Sequence, residues 1–217
     1  MEKYRVKNLK SKILIVIAIS LILAGGINLK DWYTTRHNRS LPPPDSIITY
    51  STQTPGEGKI DILENKFKVA DALPRIITIP ELNIETYIQQ VGVDQYKRIA
   101  VPSNIYLTGW FIDSAKPGES GVSIIDGHMG GRYEKGIFKE LDKLSVDDKF
   151  YITYGDGRDV YFQVKEVKTV SIDEAEEVLY KKLDNIDKQL NLITCGGEYN
   201  KQSGYDKRVI VIAQMVE

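Results

Sequence analysis

Three side chains in this chain have the types that covalent chemistry needs. Cys195 is the only cysteine among 217 residues. It closes the apolar run Asn191–Cys195 (NLITC) and is followed at once by Gly196 and Gly197. A lone thiol forms no internal disulfide, and with two histidines in the whole chain it builds no structural zinc site. Its thiolate would be a nucleophile, and the two glycines would keep bulk away from the sulfur as it approaches a carbonyl carbon. His128 lies in Ile124–Gly131 (IIDGHMGG), where an apolar strand gives way to a glycine-rich loop. A histidine between glycines is poor core material, and imidazole suits proton transfer near neutral pH. Arg208 opens the apolar run Arg208–Ala213 (RVIVIA). A fixed guanidinium beside a thiol could donate hydrogen bonds to a developing oxyanion or hold substrate carbonyls. Each residue also has a plainer reading: a core thiol, a loop imidazole, a solvated strand edge.

Only a fold can bring these three together, and the sequence outlines one. Short β-branched runs with turn signals between them occur at Arg75–Ile79, Ile84–Val91, Gly121–Asp126, Lys149–Tyr154, Val160–Val170, Leu190–Cys195 and Arg208–Met215. Their spacing points to a closed barrel or a sandwich, not a parallel βαβ sheet. Two helices are expected among them. Gly136–Leu144 puts Ile137, Phe138, Leu141 and Leu144 at helical spacing. Ser171 with Glu174 reads as a capping box, and Ala175, Val178, Leu179 and Leu183 would form the apolar face behind it.

Ahead of the strands the chain changes character. Ile13–Leu29 (ILIVIAISLILAGGINL) carries no charge and follows Lys3, Arg5, Lys7, Lys10 and Lys12. This reads as a transmembrane signal anchor over 13–29, with residues 1–12 as a basic cytoplasmic tail and the remainder outside the cell, in single-pass topology. Residues 30–72, with Pro42-Pro43-Pro44 and STQTPGEGK, read as an extracellular linker, and 73–217 as the folded domain. The Pro-rich stretch could also fold over a groove as a lid. The formal net charge of −1 gives no argument for a nucleic-acid partner.

From about Leu73 onward the sequence resembles the sortases, membrane-anchored cysteine transpeptidases of Gram-positive bacteria. NLITC matches the family's T-L-x-T-C around its nucleophile, with Asn191 in place of the first threonine. Asp126-Gly127-His128 resembles the histidine motif, and RVIVIA resembles the R-x-V-V-x-A strand. A Gly-Trp turn at Gly109-Trp110, the GIFKELDKL segment and the order His, Cys, Arg agree. The glycines after Cys195 are more like class F and related members.

The resemblance implies a mainly β chain: a closed eight-stranded sortase-type barrel with short helices, preceded by the N-terminal transmembrane helix and linker. It implies that Cys195, His128 and Arg208 are catalytic, with Thr194 and Gly196 supporting the oxyanion or the substrate. The substrate would be an LPXTG-like sorting signal, lying in a groove walled by Ser171–Lys188. The acyl group would pass through a thioacyl-enzyme to an amine of a cell-wall peptide or a pilin lysine. No cofactor is required. Calcium is a candidate only through the acidic cluster Asp173, Glu174, Glu176 and Glu177, which also reads as the dipole-favoured start of a helix. The competing reading is a membrane-tethered β-barrel that binds a partner and is catalytically passive.

Overall fold

The structure is a computed structural model that describes residues 2–37, 46–52, 54–62, 67–202 and 204–216. Pro42-Pro43-Pro44 lies outside the described residues, and with it the stretch read as a lid. The elements in chain order are α1 (Glu2–His37), β1 (Ile47–Ile48), β2 (Pro74–Ile79), β3 (Ile84–Val91), β4 (Thr108–Phe111), β5 (Gly121–Gly127), β6 (Lys149–Tyr154), β7 (Asp159–Ser171), α2 (Ile172–Tyr180), β8 (Lys188–Asn200) and β9 (Gly204–Val216).

The strands run in the order β1-β3-β2-β6-β7-β9-β8-β5-β4, and β4 pairs back onto β3. Eight strands therefore close into a barrel, with the two-residue β1 laid against β3. Closure leaves no free edge, which suits a sheet whose residues alternate between two buried sides. One side fills the barrel with Ile77, Ile125, Phe150, Phe162, Leu192, Val209 and Val211. The other side carries Val91, Phe111, Ile124, Ile210 and Ile212, and α2 covers part of it with Ala175 and Leu179. The capping box at the start of α2 forms as expected: Ser171 Oγ accepts from the Glu174 N–H, and Glu174 Oε2 accepts from the Ser171 N–H.

Two sequence expectations give way. Residues 136–144 do not form an α-helix but a short 3₁₀ turn at Leu141–Lys143. Their bonds run three residues back, from Lys139 to Gly136, Leu141 to Phe138 and Lys143 to Glu140. The reason is tertiary. Phe138 lies so close over Gly127 that a Cβ there would meet its ring at 2.5 Å, and the Phe138 N–H donates to the His128 carbonyl at 3.0 Å. The segment is strapped to β5 before a helical turn can close. Gly109-Trp110, read as a turn, sits inside strand β4.

At the N-terminus α1 takes in the whole apolar run 13–29. Its described side chains Val16, Ile17, Leu21, Ile27 and Leu29 are exposed. Among the described residues, no helix is long and apolar enough to cross a membrane. The last turns of α1 touch the barrel: Arg36 pairs with Glu134 at 2.8 Å, and Asp31 takes hydrogen bonds from Arg132 and the Tyr133 hydroxyl.

Candidate active site

Strand register brings the three sequence candidates to one end of one sheet surface. Cys195 on β8 lies directly opposite Arg208 on β9 in an antiparallel ladder. Strand β5 runs parallel to β8 with Asp126 opposite Ile193. Two residues further along each chain come His128 and Cys195, at the same level of the sheet. Because strand side chains alternate, Asp126, Ile193, Cys195, Arg208 and Ile210 face the α2 side, away from the barrel interior.

His128 is held from two directions. Its Nε2 lies 2.8 Å from the carbonyl oxygen of Pro102. A carbonyl only accepts, so Nε2 carries the proton and Nδ1 is the nitrogen left free to exchange one. The loop bearing Pro102 is itself braced from a distance. Gly56 donates to the Ser103 carbonyl and accepts from the Ile105 N–H, and Asn104 Nδ2 donates to the Gly58 carbonyl. Beyond His128, the backbone N–H groups of Arg132 and Tyr133 both donate to the buried carboxylate of Glu57. That carboxylate fills the space where a Cβ on Gly131 would stand, 2.4 Å from Oε1. Residues 56–58, read from the sequence as linker, thus grip both loops that frame the imidazole.

The electrostatics describe a resting neutral pair. Burial pushes the Cys195 thiol above its ordinary value; Arg208 pulls it down and Asp126 pushes it up. Burial also holds the His128 imidazole below its ordinary value, outweighing the opposite pull of the Pro102 bond. At neutral pH the main species is therefore thiol with imidazole, and the reactive thiolate–imidazolium form is a minor one. The Arg208 guanidinium donates to the Lys207 carbonyl at 2.8 Å and reaches the Tyr205 carbonyl at 3.5 Å. These bonds to its own strand hold the cation beside the thiol.

Thr194 points to the opposite side from Cys195. Its buried hydroxyl donates to the Gly127 carbonyl at 2.8 Å, so that oxygen ties β8 to β5 and is not free to face an oxyanion in the groove. Gly196 and Gly197 answer to the hairpin more than to the sulfur. Gly197 has φ +76°, and a Cβ there would meet Asp206 Oδ1 at 2.0 Å; one on Gly196 would meet Val209 at 3.0 Å. The register shifts between Gly196 and Tyr199, and glycine at these positions permits that bulge. Asn191, the departure from the family's threonine, is fully buried and donates from Nδ2 to the Leu179 carbonyl at 2.7 Å. With Gln189, which bonds the Lys181 carbonyl and the Leu183 N–H, it pins the C-terminal end of α2 to the sheet. Of the acidic cluster on α2, Glu174 is spent on the cap. Among the described residues no group of three or more His, Cys, Asp or Glu could hold a metal ion.

Pro102, Glu57 and Asp126 were not singled out as site residues from sequence. For Asp126 a signal existed, since a charged residue two before His128 shares its side of the strand; the other two act through contacts that no local pattern reveals.

A sortase-domain family model matches residues 77–216. Among solved structures, the chain is similar to a sortase D5 transpeptidase of Clostridium perfringens, with 25% identity and a TM-score of 0.51 over 66% of this chain and 79% of that one. It is also similar in fold to a lid mutant of sortase A from Corynebacterium diphtheriae, with 23% identity and a TM-score of 0.52 over 72% of this chain and 76% of the other. No curated protein matches the sequence.

Proposed function

Since the chain belongs to the sortase family, we propose that it is a cysteine transpeptidase acting on an LPXTG-like sorting signal. The observation that carries this reading is the register pair Cys195–Arg208, with His128 at the end of the neighbouring parallel strand.

The Cys195 sulfur, as thiolate, attacks the carbonyl carbon of the threonine. The C–S bond forms and the carbonyl π pair moves to oxygen, where the Arg208 guanidinium stabilises the charge. Collapse of this intermediate breaks the C–N bond, and imidazolium Nδ1–H of His128 gives its proton to the leaving amine. The thioacyl intermediate divides one difficult amide exchange into two easier steps. The incoming amine then attacks the thioester carbonyl and loses a proton to His128 Nδ1; the new C–N bond forms as the C–S bond breaks, and the departing thiolate takes that proton back. An amine of a cell-wall peptide or a pilin lysine is the acceptor, and water in its place gives hydrolysis. Thr194 takes part by holding β5 against β8, and Gly196 by allowing the bulge that follows Cys195.

The catalytic domain works outside the cell, tethered by the run 13–29. What supports the tether is a helix whose exposed apolar side chains are preceded by a cluster of cations. Fractionation of the full chain, with protease added to intact cells, tests this part. Recovery in the soluble fraction would overturn it.

The enzymatic reading is tested by mixing the 46–217 segment with an LPXTG peptide and a short glycine peptide as amine donor. A ligated product that requires Cys195, His128 and Arg208 is expected. A folded protein that binds the peptide without making any product would favour the passive binding module instead.

A further inference from the structure

Asp126 is a half-buried acid on the sheet surface, with Oδ1 itself buried, that the mechanism above leaves unused. It lies two residues before His128 on β5, so both side chains project to the same side. Across the sheet it faces Ile193, two residues before Cys195, and on the other flank it faces Gly109 of β4. The carboxyl occupies the space that Gly109 leaves: a Cβ there would stand 2.5 Å from Asp126 Oδ1 and 2.7 Å from Val91. The cluster it borders, with Val91, Ile124, Ile193 and Ile210, is apolar. In this setting Oδ1 is buried and has no hydrogen-bond partner. Buried polar atoms are nearly always paired, and an exception in a native fold calls for a reason.

We propose that Asp126 forms a polar subsite in the floor of the peptide groove, which takes one uncharged hydrogen-bond donor of the substrate, an amide N–H or a hydroxyl, and turns away acidic side chains. This rests on the transpeptidase reading. An extended peptide and a β-strand advance by about the same 3.3 Å per residue, so Asp126 underlies a substrate position about two residues from the reacting bond. A purely apolar substrate group there would leave the oxygen unpaired, as it is in the free protein, and so gain nothing from it. An ammonium group would have to shed its water in an apolar slot, and the gain from pairing would largely cancel. A carboxylate would carry the same desolvation cost into the slot. A neutral donor satisfies Oδ1 without either loss. Burial also raises the Asp126 carboxyl well above the usual carboxylate range, which favours its neutral form in the slot.

The test compares the wild-type domain with Asp126→Ala and Asp126→Asn on a panel of LPXTG peptides. Each peptide carries Ala, Ser, Gln or Glu at one position, or an ester in place of one backbone amide. Thioacyl formation is followed by intact mass, the urea-unfolding midpoint checks that each variant is folded, and alkylation by iodoacetamide checks that Cys195 is reduced. At one position the wild type is expected to lose about fivefold to tenfold in kcat/KM when the donor is removed, and to disfavour Glu further. Asp126→Ala abolishes that preference at that position alone, and Asp126→Asn, which keeps one acceptor oxygen, retains part of it. An identical ranking of all peptides by wild type and Asp126→Ala would overturn the subsite alone. A wild type that is alkylated but acylated by none of the peptides would overturn the transpeptidase reading, and the subsite with it.

Discussion

The His128 imidazole donates a hydrogen bond from Nε2 to the Pro102 carbonyl, 2.8 Å away. That bond joins a strand end to a loop 26 residues earlier in the chain and decides which ring nitrogen faces the chemistry. The same loop is braced by Gly56 and Gly58, and the chain after His128 is clamped by Glu57. The orientation of the imidazole, the general acid of the proposed mechanism, is therefore set by residues 56–58, about seventy residues upstream of it.

Glu57 is the residue through which this brace can be tested. Glu57→Ala leaves two inward-facing backbone N–H groups without their acceptor, a loss of about 1–3 kcal/mol for each group left unpaired. We expect kcat for thioacyl formation to fall at least about tenfold, while the alkylation rate of Cys195 stays near wild type. Glu57→Gln keeps one acceptor oxygen and should recover part of the loss. Equal effects on kcat and on alkylation would mean that Glu57 supports the fold generally and not the imidazole.

The thiol sets the second expectation. Its pKa is raised, chiefly by burial, with Arg208 opposing. Alkylation by iodoacetamide should keep rising with pH beyond the ordinary thiol value of about 8.5. Arg208→Ala removes the opposing cation and moves the midpoint higher; Arg208→Lys moves it less. A midpoint well below 8 in the wild type would contradict this description of the site.

Much of this architecture can be read from the sequence, and the misses have physical causes. Strands β2, β3, β5, β6, β7, β8 and β9 announce themselves as β-branched runs between turn residues. Strand β4 does not, because Gly109 is there to make space for Asp126 and looks locally like a turn. Residues 136–144 have helical spacing, yet Phe138 is committed to Gly127 and the His128 carbonyl, and tertiary contact wins over period. Cys195, His128 and Arg208 are visible by type and setting. Pro102 acts through a main-chain carbonyl and Glu57 through a contact 75 residues away, and neither leaves a local pattern.

Asn191 shows how a departure from the family pattern is accommodated. Its amide bonds the Leu179 carbonyl and accepts from Gln189. Asn191→Ala should lower unfolding free energy by about 1–3 kcal/mol, since a buried carbonyl loses its donor. Asn191→Thr should lose less. Urea titration measures both, and an unchanged midpoint would show that α2 does not depend on this bond.

Asp126 gives a stability difference that depends on pH. Its carboxyl is raised in the folded state, so the folded protein holds a proton that the unfolded chain releases above about 3.9. Stability from this group is therefore complete below that value and is lost as pH rises toward the folded pKa. His128, lowered by burial, acts in the opposite sense, costing stability as pH falls through about 6.5. Its contribution is common to both proteins and cancels in the comparison. The Tm advantage of Asp126→Asn over wild type should widen from pH 4 to pH 8. A constant difference would mean that the carboxyl is ordinary.

The most direct measurement is the intact mass of the 46–217 segment after reaction with an LPXTG peptide in the absence of amine. The account predicts an adduct equal to the acyl fragment ending in threonine, located on Cys195, discharged by hydroxylamine and absent from Cys195→Ala. Cleavage of the peptide by Cys195→Ala at the wild-type rate, with no adduct on either protein, would contradict it.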